Sequence, residues 1–186
     1  MADTASIVAE RRPILAGQSS RGSNASVTVA APASRLSLRS PLQSVADLSS
    51  ALGLDLPSHP KQSVSSHGRH ALWLGPDEWL IIDESEADLA GLVAGVSAFH
   101  AAVDISHRNV GFIIAGEGAE ATISAGCPQD LSLEAFPVGA CSRTILHKIE
   151  IVLLRTGETS FRVECWRSFS DYAFTFLSEA AKDAAA

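Results

Sequence analysis

The sequence predicts an α+β fold, with one or more mixed, mostly antiparallel sheets carrying packed amphipathic helices. Short runs alternate apolar and polar residues, as half-buried strands do. A few other stretches repeat apolar residues at helical period. The two kinds are interleaved without regular βαβ spacing, so a doubly wound parallel sheet is not expected.

The chain has 186 residues, 46% of them apolar, enough for one core or for two small lobes sharing a core. A single α+β domain is expected over residues 26–183, behind a flexible leader over residues 1–25 in which GQSSRGSN reads as a tether. SVTVAA and RLSLR open the ordered part, with Val27, Val29, Leu36 and Leu38 alternating with polar neighbours. Val45, Leu48 and Leu52 form a short helical stripe, Ser44 with Asp47 resembles a capping box, and Gly53 suits the left-handed stop. LPSHPKQSVSSHGRH reads as an exposed loop.

HALWLGPDEWLII predicts a hairpin turning at Gly75-Pro76-Asp77, with Trp73 and Trp79 flanking the turn. Ser85 with Asp88 repeats the capping pattern, and Leu89, Leu92, Val93, Val96 and Phe99 make a stripe that must lie against a sheet. AVDIS and VGFIIAG read as a strand pair, and residues 119–125 as a helix burying Ile123. SRTILHKIEIVLLRT and SFRVECWRS supply strands joined around Gly157-Glu158. A last helix starts near Ser168 or Ser170, turns Tyr172, Ala173, Phe176 and Leu177 inward, and frays into KDAAA.

Fourteen basic against twenty-one acidic residues give a net charge of −7, which offers no field for nucleic acid or anionic lipid. No apolar stretch is long enough to span a bilayer, so no membrane partner is expected. Asp3 and Glu10 interrupt the N-terminus and no apolar run follows Arg11-Arg12, so a signal peptide is not expected. Cys127, Cys141 and Cys165 are odd in number and widely spaced, which fits a reducing cytoplasm rather than a disulfide framework or zinc ribbon.

The candidate sites resolve mostly into structure. Asp104, Ser106 and His107 are too close in sequence for a triad, because a strand sends Asp104 and Ser106 to one face and His107 to the other. A strand-end hydrogen-bonding role is expected instead. Gly116-Glu117-Gly118 lacks the third glycine of a dinucleotide fingerprint, having Ala121 there, and puts an acid where phosphate would sit, so a tight turn is expected. Cys127 before Pro128 reads as a buried helix end; a reactive thiol would need Arg143 or His147 brought to it by the fold. The histidines at 59, 67, 70, 100, 107 and 147 have no metal-ligand spacing, and no metal or cofactor site is expected in this chain. Trp166, Arg167, Phe169 and Tyr172 cluster near a strand-to-helix junction. They are either core with one snorkelling arginine or a partner-binding patch.

LWLGPDEWLII, VDISHRNVGFIIAGEGAEATISAGCPQDLS, SRTILHKIEIVLLR and FRVECWRSFSDYAFTFL together resemble the gamma subunits of heterotetrameric sarcosine oxidases, in order and spacing, over about residues 71–177. The resemblance implies a place in an enzyme that oxidatively demethylates sarcosine to glycine, yielding peroxide and either formaldehyde or methylene-tetrahydrofolate. It implies alpha, beta and delta subunits as partners, with the alpha chain in contact. FAD, FMN, NAD, tetrahydrofolate and zinc would be carried by those other subunits. It also implies a fold similar to the folate-binding domain of the glycine-cleavage T-protein. On that reading the gamma chain is noncatalytic and no catalytic residue is transferred to it. The alternative is a freestanding folate-binding or one-carbon-transfer module.

Overall fold

The computed structural model describes residues 14–184. The expected leader lies outside the described residues for 1–13, and the rest of it differs from expectation. Ser19–Arg21 is a strand, β1, paired antiparallel with β2, Ser26–Val29. The glycine of the presumed tether is a packing requirement: a Cβ on Gly22 would lie 1.8 Å from the carbonyl oxygen of Ala181.

After β3 (Ser34–Arg39) a 3-10 turn at Leu42–Ser44 leads into α1, Val45–Leu52. Gly53 ends this helix in the left-handed conformation as expected, with φ 63°. Ser44 is not a side-chain cap, because the turn delivers it already in helical geometry and its hydroxyl makes no cap bond.

The expected exposed loop is also corrected. Ser63–Ser66 is a strand, β4, turning through His67 and Gly68, both at positive φ, into β5, Arg69–Gly75. Two successive residues at positive φ match the right-handed twist of a two-residue hairpin, so His-Gly does here what Asn-Gly usually does. The next hairpin is as expected, with β6 (Glu78–Asp83) returning along β5 and Trp73 directly opposite Trp79.

Helix α2, Leu89–Ala94, starts later than expected. Asp88 is its cap, accepting from the Gly91 N–H at 2.9 Å, while the Ser85 side chain bonds Asp83 instead. Only Leu89 and Val93 of its stripe are buried; Leu92 and Phe99 face solvent.

β7 (Ala101–Asp104) and β8 (Asn109–Ala115) are both strands, but they do not pair with each other. β7 pairs with β3 and β8 pairs with β2, in different sheets. The chain crosses between sheets at residues 105–108, a choice of partner that alternation alone cannot specify. α3 (Ala119–Ser124) buries Ile123, and β9 (Cys141–Leu146), β10 (Ile149–Gly157) and β11 (Ser160–Trp166) form a meander. Helix α4, Ser170–Asp183, buries Ala173 and Leu177 as expected but leaves Tyr172 at the surface, 37% exposed.

The sheets are ordered β1-β2-β8-β11-β10-β9 and β4-β5-β6-β3-β7, antiparallel throughout. α3 and α4 cover the outer face of the first through Phe112, Ile114, Phe161 and Val163. α1 and α2 cover the outer face of the second through Leu36, Leu38 and Ile81. Leu72, Leu80, Ile82, Val152 and Leu154 meet between the inner faces. The result is a helix–sheet–sheet–helix stack, and β6, covered on both sides, is buried at every residue. It is the α+β, mostly antiparallel architecture the sequence predicts.

Gly22→Ala should cost about 1–3 kcal/mol, the range for forcing extra atoms into packed space, read as a lowered urea midpoint. A change within about 0.5 kcal/mol, typical of open surface, would show that the β1–β2 turn is not seated on α4.

Candidate functional site

On β11 the side chains of Phe161, Val163 and Cys165 join the helix-facing core, so Arg162, Glu164 and Trp166 project the other way, toward the second sheet. Arg35 projects inward from β3 in the same manner, its neighbour Leu36 belonging to the other face. Glu164 receives two hydrogen bonds from Arg35, Nε to Oε2 at 2.6 Å and Nη2 to Oε1 at 3.1 Å, and one from Arg162 Nε to Oε1 at 2.8 Å. Arg162 Nη1 also reaches Glu84 at 2.6 Å, and Arg35 Nη1 bonds the Ala33 carbonyl at 3.0 Å. All three central side chains are buried. Gly111, opposite Glu164 on β8, is dictated by this cluster, since a Cβ there would sit 2.6 Å from Glu164 Oε1.

Burial by itself pushes the Glu164 carboxyl up, but the charges and hydrogen bonds of Arg35 and Arg162 outweigh it and hold the group below its ordinary 4.5. His70 is lowered by burial, against the pull of Glu84. A buried charge flanked by two bidentate-capable arginines joins the sheets; it presents no base to a substrate.

Two recesses flank this cluster. One of about 360 Å³ is lined by Arg35, Ser106, His107, Asn109, Gly111 and Arg167 among others. The other, a cleft of about 270 Å³ between the sheets, is lined by Ser37, Val103, Arg108, Arg143, Glu150 and Trp166 among others. Trp166, 41% exposed, stands at its rim. Its ring stacks on Phe169 with centroids 5.7 Å apart and planes 9° from parallel, and the Arg108 guanidinium lies 4.6 Å over the indole. The Arg167 N–H donates to the Arg108 carbonyl at 2.7 Å, tying the β11–α4 junction to the turn before β8.

The four residues singled out at that junction therefore fall into two groups. Trp166, Arg167 and Phe169 gather around Arg108, while Tyr172 hydrogen-bonds His147 and stacks with it and with Phe176. The other candidates have structural uses. Asp104 Oδ1 accepts from the Ser106 N–H at 2.8 Å, and Ser106 Oγ accepts from the Arg35 N–H at 2.8 Å, closing the β3–β7 ladder as a strand end requires. His107 is exposed and belongs to no such pair. Gly116, at φ 118°, makes the turn into α3, where a Cβ would meet the Asn24 carbonyl oxygen at 2.2 Å. Cys127 is buried with Sγ 3.8 Å from Thr144 Oγ1; Arg143 is turned to Glu78 and His147 to Tyr172, so neither attends the thiol. Burial pushes the Cys141 and Cys165 thiols up to about 12. No group of three or more His, Cys, Asp or Glu arranged for a metal ion occurs among the described residues.

Sequence reasoning missed Arg35, Arg162, Glu164 and Arg108. FRVECW carries the signal for two of them, charged residues two apart between apolar ones, but the same pattern describes a solvent-facing strand. Only the second sheet makes that face an interior.

This stack is the fold of glycine cleavage system aminomethyltransferase T from Bartonella henselae, with a TM-score of 0.63 over 88% of this chain and 50% of that one, at 15% identity. Its fold is thus similar to about half of that T-protein chain. Residues 40–183 match the model of the sarcosine oxidase gamma subunit family, and the chain belongs to that family. It is 35% identical to sarcosine oxidase subunit gamma of an Arthrobacter species over 138 residues, 73% of this chain and 68% of that one, and equally so to that of Corynebacterium sp. strain P-1. Among solved structures it is similar to a chain of the heterotetrameric sarcosine oxidase from Corynebacterium sp. U-96 in complex with pyrrole 2-carboxylate, with a TM-score of 0.83, 27% identity and 90% of each chain covered. The resemblance read from the sequence thus holds for both family and fold.

Because Glu164 is held below 4.5 in the folded chain, its contribution to stability is complete above that value and is lost as pH falls through the folded-state value. Urea unfolding measured from neutral pH downward should therefore be flat and then decline in acid, and Glu164→Gln should remove part of the decline. Glu164→Ala, which leaves two buried arginines facing each other, should cost about 3–5 kcal/mol; a loss below about 1 kcal/mol, the scale of an exposed pair, would mean water reaches the cluster.

Proposed function

We propose that this chain is the noncatalytic, structural subunit of a cytoplasmic heterotetrameric sarcosine oxidase, docking on companion subunits, the alpha chain first among them. The complex would oxidise sarcosine with oxygen and water to glycine, formaldehyde and peroxide, or pass the one-carbon unit on as methylene-tetrahydrofolate. FAD, FMN, NAD, tetrahydrofolate and zinc are assigned to the companion chains.

Family membership supports the complex, and one observation carries the docking role. Trp166 and Phe169 form a rigid, partly exposed aromatic platform with Arg108 and Arg167 beside it, the residue types that dominate interface energetics. Asp104, Ser106 and Cys127, suspected of chemistry in the sequence, are meanwhile committed to strand ends and buried contacts. No helix among the described residues is long and apolar enough to cross a membrane.

Co-expression with the alpha, beta and delta chains tests this reading. Trp166→Ala and Arg167→Ala should each weaken assembly by about 1 kcal/mol or more while the thermal midpoint of the isolated chain stays near wild type. Equal losses of folding stability would place these residues in the core, and a tagged wild-type chain that retained no companion would overturn the role altogether.

The recess of about 360 Å³ lies within the size range of small-molecule sites and favours one second reading, a freestanding folate-binding or one-carbon module. Titration with tetrahydrofolate separates the two: neither heat nor thermal stabilisation at millimolar ligand removes the module.

A further inference from the structure

Arg35, Arg39, Arg69, Arg143, Arg155 and Arg162 each lie within 4 Å of a carboxylate. Among the described residues Arg108 and Arg167 have no such partner, although the chain as a whole carries seven more acids than bases. The two stand side by side, joined by the hydrogen bond from the Arg167 N–H to the Arg108 carbonyl. Their backbones are not free to drift. The Arg108 N–H closes a turn onto the Ile105 carbonyl at 2.9 Å, and Arg167 begins the 3-10 turn that leads into α4. Arg108 is also pinned by the indole face of Trp166.

Of the four charged residues that line the cleft beside them, Glu78, Glu150 and Arg143 have ion-pair partners and Arg108 has none among the described residues. Glu78 is held by Arg39 and Arg143, and Glu150 lies 3.9 Å from Arg143. Its apolar walls are Trp166 on one side and Val103, 56% exposed, on the other. Val103 belongs to β7, an edge strand of its sheet among the described residues, and Phe99 just ahead of it is 81% exposed. An edge strand beside a recess that mixes apolar and charged walls can receive an extended segment carrying both kinds of side chain. Arg108, which lines the cleft without a carboxylate partner, and Arg167, which lines the adjoining recess, select the sign of that segment's charge.

We propose that this corner binds an acidic, extended segment of a companion subunit, whose carboxylates pair with Arg108 and Arg167 while an apolar side chain enters the cleft between Trp166 and Val103. This deepens the docking role proposed above and rests on it. Laying Arg108 on the indole beforehand lowers the ordering cost of the contact, so its charge is spent on binding and discrimination.

The test uses the complex co-expressed with its companion chains, its dissociation on dilution followed by mass photometry. Arg108→Glu and Arg167→Glu should each loosen the complex roughly tenfold or more, since a like-charge juxtaposition replaces an attraction. Arg108→Lys, which keeps the charge but gives up the planar stack on Trp166, should loosen the complex less than Arg108→Glu does. Added salt should weaken the wild-type complex more steeply than the two charge-reversed ones. Arg21→Glu is the control: by strand register Arg21 lies at the Ala115 and Ser160 end of the six-stranded sheet, away from Trp166, and it too lacks a carboxylate partner among the described residues.

If Trp166→Ala loosens the complex while both arginine reversals assemble as wild type, the docking surface stands and its acidic occupant falls. If Trp166→Ala, Arg108→Glu and Arg167→Glu all assemble as wild type, the docking role of this corner falls as well. If Arg21→Glu loosens the complex as much as Arg108→Glu, the effect is one of net charge and the proposal is overturned.

Discussion

The packing of the two sheets depends on one buried carboxylate. Glu164 leaves β11 toward the second sheet and is met there by Arg35 of β3, with Arg162 of its own strand on the other side. Each ion alone would be expensive in that interior, and together they satisfy most of one another's hydrogen-bonding capacity. The cluster also constrains its surroundings. It leaves room only for glycine at position 111, and the same Arg35 backbone is bonded by Ser106, which fixes where β7 ends and the crossing to β8 begins.

The inter-sheet space is consequently divided. Away from the cluster Leu72, Leu80, Ile82, Val152 and Leu154 close it with apolar packing. Toward the end of β11 the sheets are less completely filled, and the recesses lined by Arg167 and by Trp166 open there. The features that fit a partner are thus found at the end of the strand whose interior residues hold the molecule together. A polar cluster of this kind specifies how one sheet sits on the other as much as it stabilises the pair. That precision is what the proposed docking surface, a stacked tryptophan with an arginine laid over it, needs.

Several side chains that invite a chemical reading in the sequence turn out to have mechanical duties. Asp104 and Ser106 finish a ladder, Gly116 admits the backbone of Asn24, and Cys127 ends a helix in the core. Polar residues gather at such places because strand ends and helix stops leave backbone groups without regular partners, which short polar side chains then satisfy. Proximity in sequence is therefore a poor guide to an active site where proximity is what a turn requires.

By itself the sequence determined what depends on local spacing and on composition. Alternation marked β2 and β3; apolar and β-branched runs marked β5, β6, β10 and β11; helical period marked α1 and α4; the Gly75-Pro76-Asp77 and Gly157-Glu158 turns were legible; and four longer segments carried the family. It was less explicit where a polar strand had an unusual turn, as at His67-Gly68, and where an edge strand resembled a tether, as at Ser19–Arg21. The tertiary structure alone decided that β7 and β8 part company, that Arg162 and Glu164 face an interior instead of water, and that Arg108 comes to lie over Trp166. The physical reason is common to all three. Period states which residues share a face, whereas what covers that face is set by chain segments far away in sequence.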